Sequence, residues 1–190
     1  MENILDLDYE SMTPEQKFLV PWNEFVAERR GADKLLAWMK AEGFFSAPAS
    51  ANHHLNVPGG LCIHTLNVTM NALSLCETAQ FARVDAQEAV TAALLHDLCK
   101  AGKYTQGTDG RYVYKDNRML GHGEESAIIA MRFIKLTENE LLAIRWHMGA
   151  FTGANTWETL GKVYEKCPLA LLLHIADMLA TYCDETGGCT

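Results

Sequence analysis

The chain has 190 residues and a mass of 21.1 kDa, the size of one domain or one domain with a short extension. Its 16 Lys+Arg against 24 Asp+Glu leave a formal charge of −8, and it carries no basic block, which argues against wrapping duplex DNA by bulk charge. Short strands and nucleotides stay open, because a local positive site can hold them. With 48% hydrophobic and 21% charged residues, the composition is globular and can bury a sizeable core.

No apolar run approaches the roughly 20 residues that span a bilayer, and the acidic start Met1 to Asp8 lacks the positive flank of a signal peptide. A soluble cytoplasmic protein is the expectation. Six cysteines include no CxxC pair, so buried free thiols are expected rather than a disulfide framework.

In chain order the pattern is helical. Thr13-Pro14-Glu15-Gln16 offers an N-cap, a proline at the first helical position and a capping-box glutamine, opening a helix to about Arg30. Gly31 breaks it. Ala32 to Glu42 resumes with Leu35, Leu36 and Met39 on one face, and Gly43 stops it. Residues 46–60 read as a loop. A long helix is expected from Leu61 to Gln80, and another, capped by Asp85 with Glu88, through Lys100 to a stop at Gly102. Gly107 to Leu120 reads as a turn and short hairpin with Tyr112 and Tyr114 in alternation.

Further helices are expected from His122 to Leu136 and from the Thr137-Glu138-Asn139-Glu140 cap to His147. Met148 to Asn155 is a loop. Asn155 with Glu158 caps a short helix to Lys166, and Pro168 opens the last, through Asp184. One all-α domain accounts for these elements. Residues 1–45 form a helical extension packed on the core, and 46–190 the main domain.

Polar residues interrupt this apolar pattern. The segment PLALLLHIADMLAT is apolar on nearly every side, which marks a buried helix, yet it contains His174 and Asp177. A buried carboxylate needs a cation or strong donors. AALLHDLCK repeats the anomaly: His96 and Asp97 stand at the C-terminal end of an apolar helix, where the dipole disfavours negative charge. His64 lies among Ile63, Leu66 and Val68, and His147 ends the helix of Leu141, Leu142 and Ile144. Any one of these has an ordinary reading as a hydrogen-bonded core residue. Together, imidazoles and carboxylates from several helices are the ligand chemistry of a dinuclear site for Fe, Mn, Co or Ni.

At this point the sequence resembles the HD-domain metal-dependent phosphohydrolase superfamily. His64 in GGLCIHTLNV, His96-Asp97 in AALLHDLCK and Asp177 in LHIADMLA carry the resemblance. His122 in GHGEES and His147 in RWHMG match the extra histidines of dinuclear members. HHLNVPGGLCIHTLNV looks like the HD domains of bacterial exoribonuclease and relaxase type. The resemblance covers residues 50–185 and implies an all-α HD-domain helical bundle with a short hairpin or loop insertion.

It implies one metal held by His64, His96, Asp97 and Asp177, with Asp97 bridging to a second held by His122 and His147. One or two divalent ions, Fe, Mn, Co, Ni or Mg, would serve metal-activated water in cleaving a phosphoester of a nucleotide or other small phosphorylated metabolite. Asp97 and Lys100 are the expected catalytic residues. Lys100 follows His96 by four residues, so on a continuing helix it shares their face and reaches a phosphate oxygen or the leaving group. His53, His54 and Arg145 are expected substrate contacts, with Lys103 and Arg118 as further phosphate contacts.

His174, one turn before Asp177, is expected to support the ligands. Tyr112 and Tyr114 either line a base pocket or pack the hairpin on the bundle. Glu124 and Glu125 read as first-turn residues favoured by the helix dipole. The sequence departs from the family at Cys99, where a smaller residue is usual, and lacks the nucleic-acid-binding domain of exoribonuclease members. The expected partner is a small phosphate or nucleotide, not a duplex or a membrane, and a homodimer is compatible with the family. Two other readings use the same residues: a di-iron oxygenase, and a non-catalytic nucleotide-binding regulatory module.

Overall fold

A computed structural model describes residues 9–51, 55–115 and 119–185. Eight α-helices and one two-stranded hairpin occur among them. Helix α1 (Pro14–Phe25) begins on a complete capping box between Thr13 and Gln16. It ends at Phe25 rather than near Arg30, and a chain of turns carries the backbone to Gly31 at the start of α2 (Ala32–Ala41).

Helices α3 (Gly60–Cys76) and α4 (Ala86–Leu95) follow, and α4 is capped by the Asp85 side chain on the backbone N–H groups of Gln87 and Glu88. The Glu88 side chain does not complete a box. It instead accepts from Thr137 Oγ1 at 2.6 Å and Asn139 Nδ2 at 2.9 Å, tying α4 to the start of α6.

Helix α4 stops at Leu95 rather than continuing through Lys100, and a 3-10 turn covers Leu98–Lys100. The hairpin lies earlier than expected: β1 (Tyr104–Gln106) pairs antiparallel with β2 (Tyr112–Tyr114), Tyr104 opposite Tyr114. Tyr112 and Tyr114 both pack on the Tyr104 ring, at centroid distances of 6.3 and 5.0 Å.

Helix α5 (His122–Met131) and α6 (Glu138–Trp146) close a second layer, α6 opening on the Thr137/Glu140 box. Two 3-10 turns, Gly149–Thr152 and Ala154–Thr156, fill the expected loop, and α7 (Trp157–Lys166) begins after Thr156. Asn155 is therefore not its cap, and Thr156 turns its hydroxyl back to the Gly153 carbonyl at 2.8 Å. Helix α8 (Pro168–Leu179) runs into a π-helical turn, Ala180–Asp184.

Helix α3 packs on α4 and α8, and α6 packs on α8, α4 and α5. The Ala/Leu-rich faces of α4 and α8 thus meet at the centre, with Leu94, Leu95, Leu172, Leu173 and Ala176 fully buried. Phe18, Trp22 and Val26 from the N-terminal segment and Leu35 and Met39 from α2 belong to the same hydrophobic cluster. No single helix among the described residues is long and apolar enough to cross a membrane.

Candidate metal centre

Four elements deliver polar side chains to one buried point. His96 and His147 stand at the C-caps of α4 and α6. Each Nδ1 donates to the carbonyl three residues back, Ala93 for His96 and Ile144 for His147, at 2.7 Å in both cases. Those carbonyls belong to the terminal turns, where helices leave acceptors unsatisfied. The bond turns Nδ1 to the backbone and leaves Nε2 of each ring facing inward.

His64, in α3, has its Nδ1 at 3.0 Å from Glu185 Oε1 and its Nε2 at 3.2 Å from Asp177 Oδ1. The Nε2 atoms of His64 and His96 lie 3.4 Å apart. Asp97 Oδ2 is 3.4 Å from His96 Nε2 and 3.7 Å from His64 Nε2, while Asp97 Oδ1 is 3.8 Å from His147 Nε2. Ring nitrogens and carboxylate oxygens thus surround one point at separations mostly too long for good hydrogen bonds. Such a cluster could hold a metal ion, and Lys100 and the His64 ring already compensate its carboxylates.

The electrostatics agree. Burial opposes charge on His64, but the Asp177 and Glu185 carboxylates outweigh it and push its pKa up to about 9. Burial also opposes ionisation of Asp97, yet Lys100 and His96 hold its carboxyl well below the usual range. Asp177 is lowered in the same way, burial being outweighed by His64. Burial, reinforced by His96, drives His147 down to about 4 and keeps its ring neutral.

His64, His96 and Asp97 offer ligand atoms within 4.8 Å of one another, as do His96, His147 and Asp177. Asp97, Cys99 and His122 form a third such group. His122 is the first residue of α5, and its Nδ1 is 3.3 Å from Cys99 Sγ. Gly123 makes that position accessible: a Cβ there would lie 2.2 Å from the Arg145 carbonyl oxygen, so α5 could not approach α6 as closely with any side chain. The donor set, imidazole with carboxylate, fits divalent transition metals.

A cavity of about 380 Å³ opens over this cluster. His64, Asp97, His122, His147 and Asp177 line it together with Lys100 and His174. Lys100 sits on the 3-10 turn rather than on α4, and its Nζ is 2.7 Å from Asp97 Oδ2. Burial opposes its charge, but Asp97 outweighs burial and raises its pKa, so it stays an ammonium. His174 Nδ1 donates to the His147 carbonyl at 2.7 Å, and Gly149 (φ +54°) lets the ring lie flat against the backbone, where a Cβ would be 2.4 Å from Cε1.

The family model of the HD domain matches residues 61–182. The chain belongs to the HD-domain family. Within this HD domain the doublet that names the family is His96-Asp97, and the match ends three residues before Glu185. A curated relative from Methanocaldococcus jannaschii, a dihydroneopterin 2',3'-cyclic phosphate phosphodiesterase, is 35% identical over 79 residues. The match spans 40% of this chain and 32% of the relative, so the chain covers less than a third of that protein's length. No solved structure gives a significant match.

The other expected site residues are placed differently. Arg145 is outside the metal cavity, on the wall of a neighbouring one, where its Nη2 pairs with Glu124 Oε1 at 2.5 Å. Glu125 pairs with Lys103 at 2.9 Å, so both glutamates have partners beyond the helix dipole. Tyr112 and Tyr114 do not line the metal cavity, although the Tyr114 ring is 6.2 Å from that of His122. His53, His54 and Arg118 lie outside the described residues.

Sequence reasoning missed Glu185, whose side chain is 1% exposed and also accepts from Asn67 Nδ2 at 3.0 Å. It also missed Met148, Phe151, Met178 and Tyr182 at the cavity wall. The one available signal for Glu185 is a carboxylate eight positions after Asp177, just past the end of an apolar helix.

Proposed function

We propose that this HD domain is a metal-dependent phosphohydrolase that cleaves a phosphoester of a nucleotide or another small phosphorylated metabolite. The observation that carries the proposal is the pair of Nε2 atoms of His64 and His96, 3.4 Å apart, each on a ring whose Nδ1 is engaged elsewhere, beside Asp97 and Asp177. His64, His96, Asp97 and Asp177 would hold one divalent ion, and Asp97, His122 and His147 a second. Bound there, such ions supply Lewis acidity toward phosphoryl oxygens and bring a water to a reactive pKa.

The chain's own groups supply the rest. Lys100 faces the same cavity, already ionised, and can take a phosphate oxygen at the position where Asp97 now receives it. His174 and Glu185 fix the backbone and ring on which ligands ride, which limits motion of the donor atoms. A cavity of about 380 Å³ suits a small molecule rather than a polymer. The phosphodiesterase activity in the name of the relative points to the same reaction class.

The test is a panel of nucleotides, cyclic nucleotides and simple phosphoesters, assayed for phosphate or alcohol release with Mn, Co, Ni, Fe and Mg. Turnover that depends on added metal is expected for at least one substrate. Full metal occupancy without turnover of any panel member contradicts the proposal.

A further inference from the structure

We infer that Phe151 is the stacking platform for a planar, uncharged ring carried by the substrate, and that the cavity beside the metal centre reads that ring's polar edge. The inference rests on the phosphohydrolase reading only in placing the phosphate over the ligand cluster.

Two cavities adjoin at this place. The metal cavity and a second one of about 420 Å³ share His122, Met148 and Phe151 in their walls. Both volumes fall in the range that holds small ligands. Phe151 is 65% exposed, and no other ring stacks on it among the described residues. What sets Phe151 apart from the chain's other exposed apolar side chains is its place in the walls of both cavities.

The segment that carries Phe151 is built to keep it there. Thr152 Oγ1 donates to the Gly149 carbonyl at 2.8 Å, and Thr156 Oγ1 to the Gly153 carbonyl at 2.8 Å. The two hydroxyls also meet at 3.0 Å, and Trp157 Nε1 donates to the Ala150 carbonyl at 3.1 Å. These bonds close both 3-10 turns on themselves, so the backbone that carries Phe151 is held before a ligand arrives. Tyr182, also exposed at 54%, lines the metal cavity as well.

Charge decides the kind of group the second cavity takes. Its charged side chains, Glu124 and Arg145, neutralise each other at 2.5 Å. Asn155 supplies neutral donors and an acceptor, and the Thr152 and Thr156 hydroxyl oxygens, their protons given to backbone carbonyls, can accept. The two charges balance, and Arg145 Nη1, buried without a hydrogen-bond partner among the described residues, is left to donate to the polar edge of a neutral heterocycle. A nucleobase-like ring attached to one phosphate fits the pair of cavities.

The experiment is equilibrium binding to the full chain with Mn present, using adenosine, guanosine, uridine and, as the ringless control, ribose. Nucleosides carry no phosphate, so the outcome does not depend on turnover. At least one nucleoside should bind more tightly than ribose. Phe151→Ala should weaken it about 5–150-fold, the span of base–aromatic stacking, and Phe151→Tyr should restore it. In turnover, Phe151→Ala should raise KM for the nucleoside monophosphate more than for ribose 5-phosphate. Nucleoside affinity equal to that of ribose, or equal in wild type and Phe151→Ala, overturns the inference. Nucleoside binding that is lost in Phe151→Ala, with no phosphate release from any substrate, leaves it standing and contradicts the hydrolase reading instead.

Discussion

The His96 and His147 rings meet edge to face with centroids 5.0 Å apart, and each is held by the same device. Each imidazole takes the carbonyl three residues back in its own terminating helix. The helix end and the candidate ligand are therefore one feature. A side chain that satisfies an orphan acceptor also aims the opposite nitrogen at the centre. Two helices ending at one point thus place two Nε2 atoms beside Asp97 without help from a flexible loop.

Metal should stabilise the fold. At a hundred times its dissociation constant a divalent ion adds about 2.7 kcal/mol. In a chain of this length that raises Tm by about 5–11 °C. Thermal unfolding with and without Mn or Fe, then with chelator, measures it; a Tm indifferent to both would count against a preformed centre.

Asp97 and Lys100 should separate metal retention from turnover. Asp97→Ala removes a carboxylate near His64, His96 and His147 and should abolish both metal binding and activity. Lys100→Ala should keep the metal and slow turnover by about 10²–10³, the range for loss of one donor to developing charge. Metal content by elemental analysis beside kcat decides it, and metal loss in both variants contradicts the role given to Lys100.

The Cys99 thiol lies 3.3 Å from His122 Nδ1. Burial, reinforced by Asp97, pushes this thiol up to about 12, so it acts as a neutral hydrogen-bonding group. Cys99→Ala should weaken the second metal equivalent about 10-fold, with the first unchanged. Calorimetric titration resolves the two steps.

The Arg29–Glu140 pair should matter for stability alone. Glu140 is fully buried, accepts from Arg29 Nη1 at 2.8 Å and from the Thr137 backbone at 2.8 Å, and so joins the α1–α2 connection to α6. Arg29→Met leaves that carboxylate buried without its cation and should cost about 3–5 kcal/mol in denaturant unfolding. Metal stoichiometry should stay the same.

The caps at Thr13, Asp85 and Thr137 were legible because a short polar side chain and a nearby backbone N–H make a local signal. His64, His96, Asp97 and Asp177 were legible because imidazole and carboxylate are costly in apolar helices. The early end of α4 was not legible: nothing in an Ala/Leu run indicates that His96 will take the Ala93 carbonyl. Nor was Glu185, which returns to His64 only because the wider π-turn at Ala180–Asp184 redirects the chain. Phe151 escaped for a related reason, since its place between two cavities depends on the path of the 3-10 turns that join α6 to α7 and not on its neighbours in sequence.

Anomalous scattering from a crystal grown with Mn tests the central claim most directly. A peak is expected within about 2.0–2.4 Å of the His64, His96, Asp97 and Asp177 donor atoms. A second should lie about 3.5–4 Å away, near His122 and His147. No peak at this cluster, with Mn bound elsewhere or not at all, would contradict it.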